Sequence, residues 1–254
     1  ASDVYKRQYQ YSPYLVIQYR NPVGLEDYYT YQEASAGKAG AAYISDFTQQ
    51  LTVDHTDVAF SSEAVPYTLR HVYNTANAGS QFLNNSTYGI HTCDFSRMKV
   101  GDGWKLSAQQ TVVPVTVGSE TYLVYQDEDG TEHYFQSVGS NKYADEDGLG
   151  LTIVKSTSGS NTIYTMTDTD AYHTWVFHNG YLISITDSNS NAIYFAYNNS
   201  YSASSTTWKP TASGNRLVQI VAVANTTSKT PVTVASLAYT SDDYLQSITD
   251  YACL

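Results

Sequence analysis

Two short carboxylate runs are the residues best suited to chemistry: Asp127-Glu128-Asp129-Gly130 and Asp145-Glu146-Asp147-Gly148. Acids alternating ahead of a glycine match part of a calcium loop, which needs further oxygen ligands and a glutamate at its twelfth position. With Asp127 at position one the twelfth residue is Val138; with Asp127 at position three the first is Tyr125, which is no ligand. The second run also lacks the closing glutamate. Paired carboxylates ~5–10 Å apart can also hydrolyse a glycosidic bond. Asp127 with Asp129, or Asp145 with Asp147, would be the pair. Acids on adjacent turn positions are mostly solvated, however, and nothing in the surrounding sequence argues for a raised pKa. Both runs therefore read as hairpin turns.

The six histidines are His55, His71, His91, His133, His173 and His178. They form no His-Glu-x-x-His pattern. The nearest pair, His173 and His178, brackets Trp175 and reads as satisfied surface histidine. No glycine-rich loop ends in Lys-Ser or Lys-Thr, and no Gly-x-Ser-x-Gly elbow occurs. Cys93 and Cys253 are the only cysteines, too few for a disulfide framework or a cysteine zinc site. Cys93 reads as a packed, idle thiol. No catalytic, metal or cofactor-binding residue is assigned, and no cofactor is expected.

The elements that would position such residues are strands. Leu15, Ile17 and Tyr19 alternate with Val16 and Gln18, and Leu51 and Val53, then Val58 and Phe60, continue the period of two. Thr121–Tyr125 and Thr131–Phe135 flank Asp129-Gly130, and Asn179-Gly180 stands before Tyr181. Such pairs favour type I′ turns, in which both central residues have positive φ. Leu149–Thr152, Ile163–Met166 and Trp175–Phe177 are further short strands. Glu33–Ala42 is alanine-rich but broken by Gly37 and Gly40, so a loop or short turn is expected there.

Composition agrees. Of 254 residues 25 are Tyr, against 7 Phe and 3 Trp, which suits pleated, half-wet surfaces. Cross-strand ladders explain so dispersed a set better than a sugar-stacking cleft does. A formal net charge of −11 disfavours nucleic acid and anionic membranes. No apolar run approaches the ~18–20 residues of a membrane-spanning helix. Asn84–Thr87, Asn198–Ser200 and Asn225–Thr227 match the glycosylation pattern, as chance allows in an Asn- and Thr-rich chain.

An internal repeat marks the C-terminal third. Tyr181-Leu182-Ile183-Ser184-Ile185-Thr186-Asp187 recurs as Tyr244-Leu245-Gln246-Ser247-Ile248-Thr249-Asp250, with a weaker copy at Leu217–Ile220. A strand ending in tyrosine follows the first copy, Asn191–Tyr197, and another precedes the last, Ser236–Tyr239. One such hairpin cannot bury its own face and must stack on others.

This repeat resembles the YD (Tyr-Asp) repeat of Rhs proteins, also found in the cocoon subunits of insecticidal toxin complexes and in teneurins. Upstream, Ala36–Thr48 is similar to the Gly-rich opening segment of bacterial wall-associated Rhs proteins, as are His71–Asn74 and Gly103–Ser107. Tyr125–Phe135 resembles the hairpin that leads into the first repeats. The likeness spans about residues 21–250. The chain departs from the pattern where Tyr197 is followed by Asn198 and Tyr239 by Thr240, and where Ser190 stands in place of the usual glycine.

The resemblance implies an all-β fold: an antiparallel meander of stacked hairpins forming a curved, spiralling sheet that lines a hollow shell. Residues 1–8 read as a translated cloning adapter, 9–120 as the upstream β region, 121–199 as the hairpins leading into the first repeat, 200–214 as an exposed Ser/Thr-rich loop, and 215–254 as further repeats cut short. The expected function is non-enzymatic containment of a C-terminal toxin or effector in a secreted or wall-associated protein. The expected partners are further repeats and the effector of the same parent chain. A cell-surface carbohydrate-binding module is the alternative, with surface glycans as partners. A closed pocket with converging acidic side chains would count against the shell.

Overall fold

The computed structural model describes residues 23–61, 65–79, 91–146, 148–170 and 172–251. Residues 1–8, the Leu15–Tyr19 strand, the Asn84–Thr87 site, Asp147 and Cys253 lie outside them. The described chain is all-β, with antiparallel sheets and only two short 3-10 turns.

The first sheet contains β1 (Tyr31–Ser35), β2 (Ala41–Ser45), β3 (Leu51–Phe60), β4 (Tyr67–Asn74) and β5 (Trp104–Leu106), in chain order. The alanine-rich segment, expected to be a loop or short turn, contains such a turn at Gly37–Ala39, but its flanks are strands, so the whole is a hairpin of β1 with β2. Its glycines make the turn rather than interrupt an element. Gly40 has φ +99, and a Cβ there would lie 1.9 Å from the Asp54 carbonyl oxygen. Only glycine lets that turn lie against β3.

The second sheet is a continuous meander. Its strands are β6 (Thr111–Val117), β7 (Glu120–Gln126), β8 (Glu132–Gly139), β9 (Lys142–Asp145), β10 (Leu151–Ser158), β11 (Asn161–Asp168), β12 (Thr174–His178), β13 (Tyr181–Thr186), β14 (Ala192–Tyr197), β15 (Leu217–Val223), β16 (Pro231–Tyr239) and β17 (Leu245–Asp250). β13 pairs with β12 along one edge. Its other edge is shared: Ser184–Thr186 pair with β14, while Tyr181 meets Thr111 of β6. The Val112 N–H donates to the Gly180 carbonyl at 3.0 Å and the Leu182 N–H to the Gln110 carbonyl at 3.3 Å. Strands β6 to β13 therefore close into an eight-stranded barrel, and β14 to β17 continue from it.

This corrects the expected open spiral. The curling sheet returns to its own first strand, and closure satisfies an edge that a spiral would leave bare. The Asn179-Gly180 turn makes that closure. Both residues have positive φ, +51 and +89, as a type I′ turn requires. Cys93 and Val112 pack so closely on Gly180 that a Cβ would lie 2.7 Å from the Cys93 sulfur.

One core serves both sheets. Leu123, Tyr125, Phe135, Ile153, Phe177 and Leu182 share a cluster with Val58, Tyr67 and Leu69 of the first sheet and with Phe195, Leu217 and Val234 of the continuing strands. The loop over 200–214 is not simply exposed. Trp208 is buried, donates its indole N–H to the Ser202 and Ser205 carbonyls at 3.0 and 2.9 Å, and packs on Tyr194 and Tyr201.

Candidate functional site

The carboxylate run at 127–129 joins the two sheets. Its turn is not the type I′ pair expected, since Gly130 has φ +102 but Asp129 is not in the left-handed region. The reason is local hydrogen bonding. One Asp127 carboxylate oxygen accepts the N–H groups of Asp129, Gly130 and Thr131 at 3.1, 3.0 and 2.9 Å. The loop therefore wraps around a side chain instead of folding tightly on its backbone.

Polar groups from the first sheet hold this loop. Lys105 of β5 is fully buried and its ammonium donates to the Asp127 carbonyl. Asn74 of β4 donates to the Asp129 carbonyl at 2.7 Å and accepts from the Gly24 N–H at 3.1 Å. The Leu25 N–H donates to Asp129 Oδ2 at 3.2 Å. The Arg70 guanidinium bridges Asp54 and Glu128, the latter at 2.6 Å. Gly24 has φ +85, and a Cβ there would lie 2.2 Å from Asp129 Oδ1.

Burial sets the electrostatics. It pushes Asp129 up to about 7, helped by the charge of Asp127. Burial acts on Asp127 in the same direction, but the contact with His133 and the charge of Lys105 outweigh it and hold Asp127 below the usual carboxylate range. Burial brings Lys105 down to about 8 against the pull of the neighbouring acids. The expectation of solvated turn acids is corrected in part: the first sheet lies over this turn and removes some of its water, while the Asp127 and Glu128 side chains keep 25% and 41% of their exposure toward the cleft.

Beside the loop lies a cleft of about 700 Å³, whose lining includes Glu26, Tyr28, Asp127, Glu128, Asp129 and Trp175. Acidic side chains thus converge, the arrangement that weighs against a shell. All six oxygens of the three loop carboxylates nevertheless accept a hydrogen bond. Asp127 takes three amides and faces His133 at 3.3 Å. Glu128 takes Arg70 and Gln110. Asp129 takes Thr131 and Leu25. Carboxylates so engaged act as structural acceptors. No family model matches this chain. Nor does any curated protein match it significantly.

The other predicted residues are dispersed. Asp145 caps its own turn, accepting the N–H groups of Gly148, Leu149 and Leu151 at 2.5, 2.9 and 2.8 Å. His91 pairs with the buried Glu132. His173 lies against Trp175, ring centres 5.8 Å apart. His178 departs from the surface reading: it is buried beside the Pro210 carbonyl, 2.9 Å from Nδ1, and burial lowers its pKa. Cys93 is buried 3.7 Å from the Asn179 carbonyl, and burial pushes its thiol up. Among the described residues no three His, Cys, Asp or Glu side chains are arranged to hold a metal ion.

A second constellation, which no sequence motif marks, lies on the first sheet. His55 and His71 face each other across β3 and β4. The β3 ladder shifts register between Thr56 and Val58, which pair with Arg70 and Leu69, so Asp57 is an extra, bulged residue. Its carboxylate contacts His71 Nδ1, and His55 Nε2 lies 3.7 Å from its other oxygen. Trp104 of β5 stands beside them, 6.4 Å from the His71 ring and 5.3 Å from that of Tyr73. The signal was the alternate placing of His55 and Asp57. The bulge that unites them is set by the ladder and is invisible in one strand's sequence.

Proposed function

We propose that this chain is a non-enzymatic wall segment of a β-shell, in a secreted or wall-associated protein of the Rhs/YD-repeat kind, which encloses an effector carried elsewhere in the same polypeptide. The observation that carries this reading is one motif in two states. Tyr181–Thr186 forms β13, with neighbours on both edges and five of six residues buried. Its copy Leu245–Asp250 forms β17, last in the sheet, with no residue fully buried. Six of the seven positions are the same, yet among the described residues the first copy is flanked along both edges, whereas the second pairs along one edge with β16 and meets Lys99 at its start. The rest of that second edge is complementary to a further hairpin of the same type.

Two further features support containment over catalysis. Among the described residues no helix forms a second layer on the meander, and the carboxylates nearest a cleft are tied to backbone amides, Arg70 and Gln110. The return of β6 onto β13 gives the sheet the strong curl that an enclosing wall would need.

The test is association at β17. The chain is expected to self-associate with rising concentration in light scattering. Lysines at the exposed positions Ser247 and Thr249 should return it to a monomer, because charge blunts a sheet edge. A chain that stays monomeric throughout would overturn the reading.

A further inference from the structure

We infer that the Lys105 amine and the Asn74 carboxamide join in an isopeptide bond, with loss of ammonia, so that β4 and β5 are tied covalently. The inference does not rest on the shell reading.

The ladder makes the two residues neighbours. Lys105 of β5 pairs with Val72 of β4, and Asn74 lies two positions further along β4. Side chains two apart on a strand share a face, so Asn74 and Lys105 stand diagonally across one strand pair. Leu69 and Leu106 point from the opposite face into the hydrophobic core. The face of Asn74 and Lys105 is covered instead by the 127–131 loop. A Cβ at Gly130 would lie 3.3 Å from Asn74 Nδ2 and 3.6 Å from Lys105 Cδ, so the amide and the lysine stem flank one glycine. Both residues are buried, Lys105 fully.

Amide exchange needs a neutral amine, an amide oxygen that can take up negative charge, and a group that moves a proton. Lys105 supplies the amine. Burial lowers it to about 8 against the pull of the neighbouring acids, so a share of it is neutral at ordinary pH. Asn74 supplies the amide. Its Oδ1 accepts from the Gly24 N–H at 3.1 Å and from the Thr52 hydroxyl at 2.9 Å. Two donors on one amide oxygen make an oxyanion hole, placed where charge gathers as the amine attacks. The leaving nitrogen, Nδ2, is held at 2.7 Å by the Asp129 carbonyl. The Asp129 carboxyl lies against Gly24, where a Cβ would come 2.2 Å from its Oδ1. Asp129 is the loop acid pushed up to about 7, so it gives and takes a proton near neutrality.

The step balances with no other reactant. The Lys105 Nζ electron pair attacks Asn74 Cγ and a C–N bond forms. The Asp129 carboxyl protonates Nδ2, the Cγ–Nδ2 bond breaks and ammonia leaves. The Asp129 carboxylate then takes the proton that Nζ sheds. Asp127 is a poorer partner, because its carboxylate is held charged and a charged carboxylate resists attack by an amine. Tethering the loop alone would explain why Lys105 donates to the Asp127 carbonyl. It would not explain two donors converging on the amide oxygen of the neighbouring Asn74.

The experiment is the intact mass of the whole folded chain. The parent is expected about 17 Da below the mass of its sequence, the ammonia lost. A tryptic digest should contain the peptide of Asn74 joined to that of Lys105. Lys105→Arg keeps the charge, cannot form the bond and should show its full sequence mass. Asp129→Asn, folded by circular dichroism, should also remain unjoined. Thr52→Val keeps the side-chain shape, removes one donor to Oδ1 and should be only partly joined when freshly purified, which covers the case in which Asp129→Asn misfolds. The inference is overturned if the parent shows its full sequence mass, or if the loss of ammonia persists in Lys105→Arg, as a succinimide at Asn179-Gly180 would make it. It is equally overturned if the joined peptides have lost water through a loop acid, or if folded Asp129→Asn and Thr52→Val are joined as completely as the parent. Self-association through β17 is read separately by light scattering, so either result leaves the other intact.

Discussion

Asp127 and Asp129 are two positions apart and burial pushes both up, yet His133 and Lys105 outweigh it at Asp127 while the charge of Asp127 adds to it at Asp129. The consequence for stability has a definite sign. A carboxyl at about 7 in the folded chain, against ~3.9 unfolded, binds its proton more tightly when folded. Asp129 therefore contributes stability that is present below about pH 4 and is lost as pH rises through about 7. Urea unfolding of the parent and of Asp129→Asn, compared between these limits, should show the parent losing ground as pH rises. A constant difference between the two would refute the assignment. Glycines at close approaches give a second prediction. Gly180→Ala combines a left-handed φ with contact against Cys93 and Val112, and should cost about 2 kcal/mol or more in denaturant unfolding. Alanine at Gly118, also left-handed but with open space around it, should cost less.

At the scale of elements, the repeat strands show how one sequence pattern serves several positions. Each needs a turn whose backbone enters the left-handed region. Ser190 does so with φ +65 and Asp243 with φ +68. Both turns are held by side chains: Asp187 accepts the N–H groups of Asn189 and Asn191, and Arg216 and Arg97 hold Asp243. Since serine is strained there, Ser190→Gly should raise stability by up to about 1 kcal/mol, readable as a higher melting temperature. The 198–216 segment depends on Trp208 in the same way that a strand depends on its ladder. Trp208→Ala should cost about 3–5 kcal/mol and expose Lys209 and Arg216 to trypsin under native conditions. Unchanged tryptic resistance would show that the loop is held by something else.

For the whole molecule, the deciding feature is that two sheets share one core. Tyr67 of β4 packs edge-on against Phe195 of β14, ring centres 5.3 Å apart. Lys99, between β4 and β5 in sequence, bridges Tyr244 immediately before β17. A single cooperative unfolding transition is therefore expected, with far-UV and near-UV circular dichroism coincident. Two separated transitions would mean that the five-stranded sheet folds by itself. Long-range pairing of β6 with β13 also predicts slow folding, because about seventy residues of chain must be gathered before that closure forms.

The sequence by itself determined the class of fold and most of its strands. Alternation, Asn-Gly and the recurring Tyr-Leu-x-Ser-Ile-Thr-Asp are local, and period two fixes which residues face the same way whatever lies opposite. It could not determine what lies opposite. Closure of β6 on β13, burial of Lys105 beneath the 127–131 loop, and the bulge that turns Asp57 onto His71 all depend on residues distant in the chain. A carboxylate in a turn has the same local sequence whether water or another sheet covers it. Only the tertiary structure decides which, and with it whether that side chain is solvated, a structural acceptor or a proton carrier.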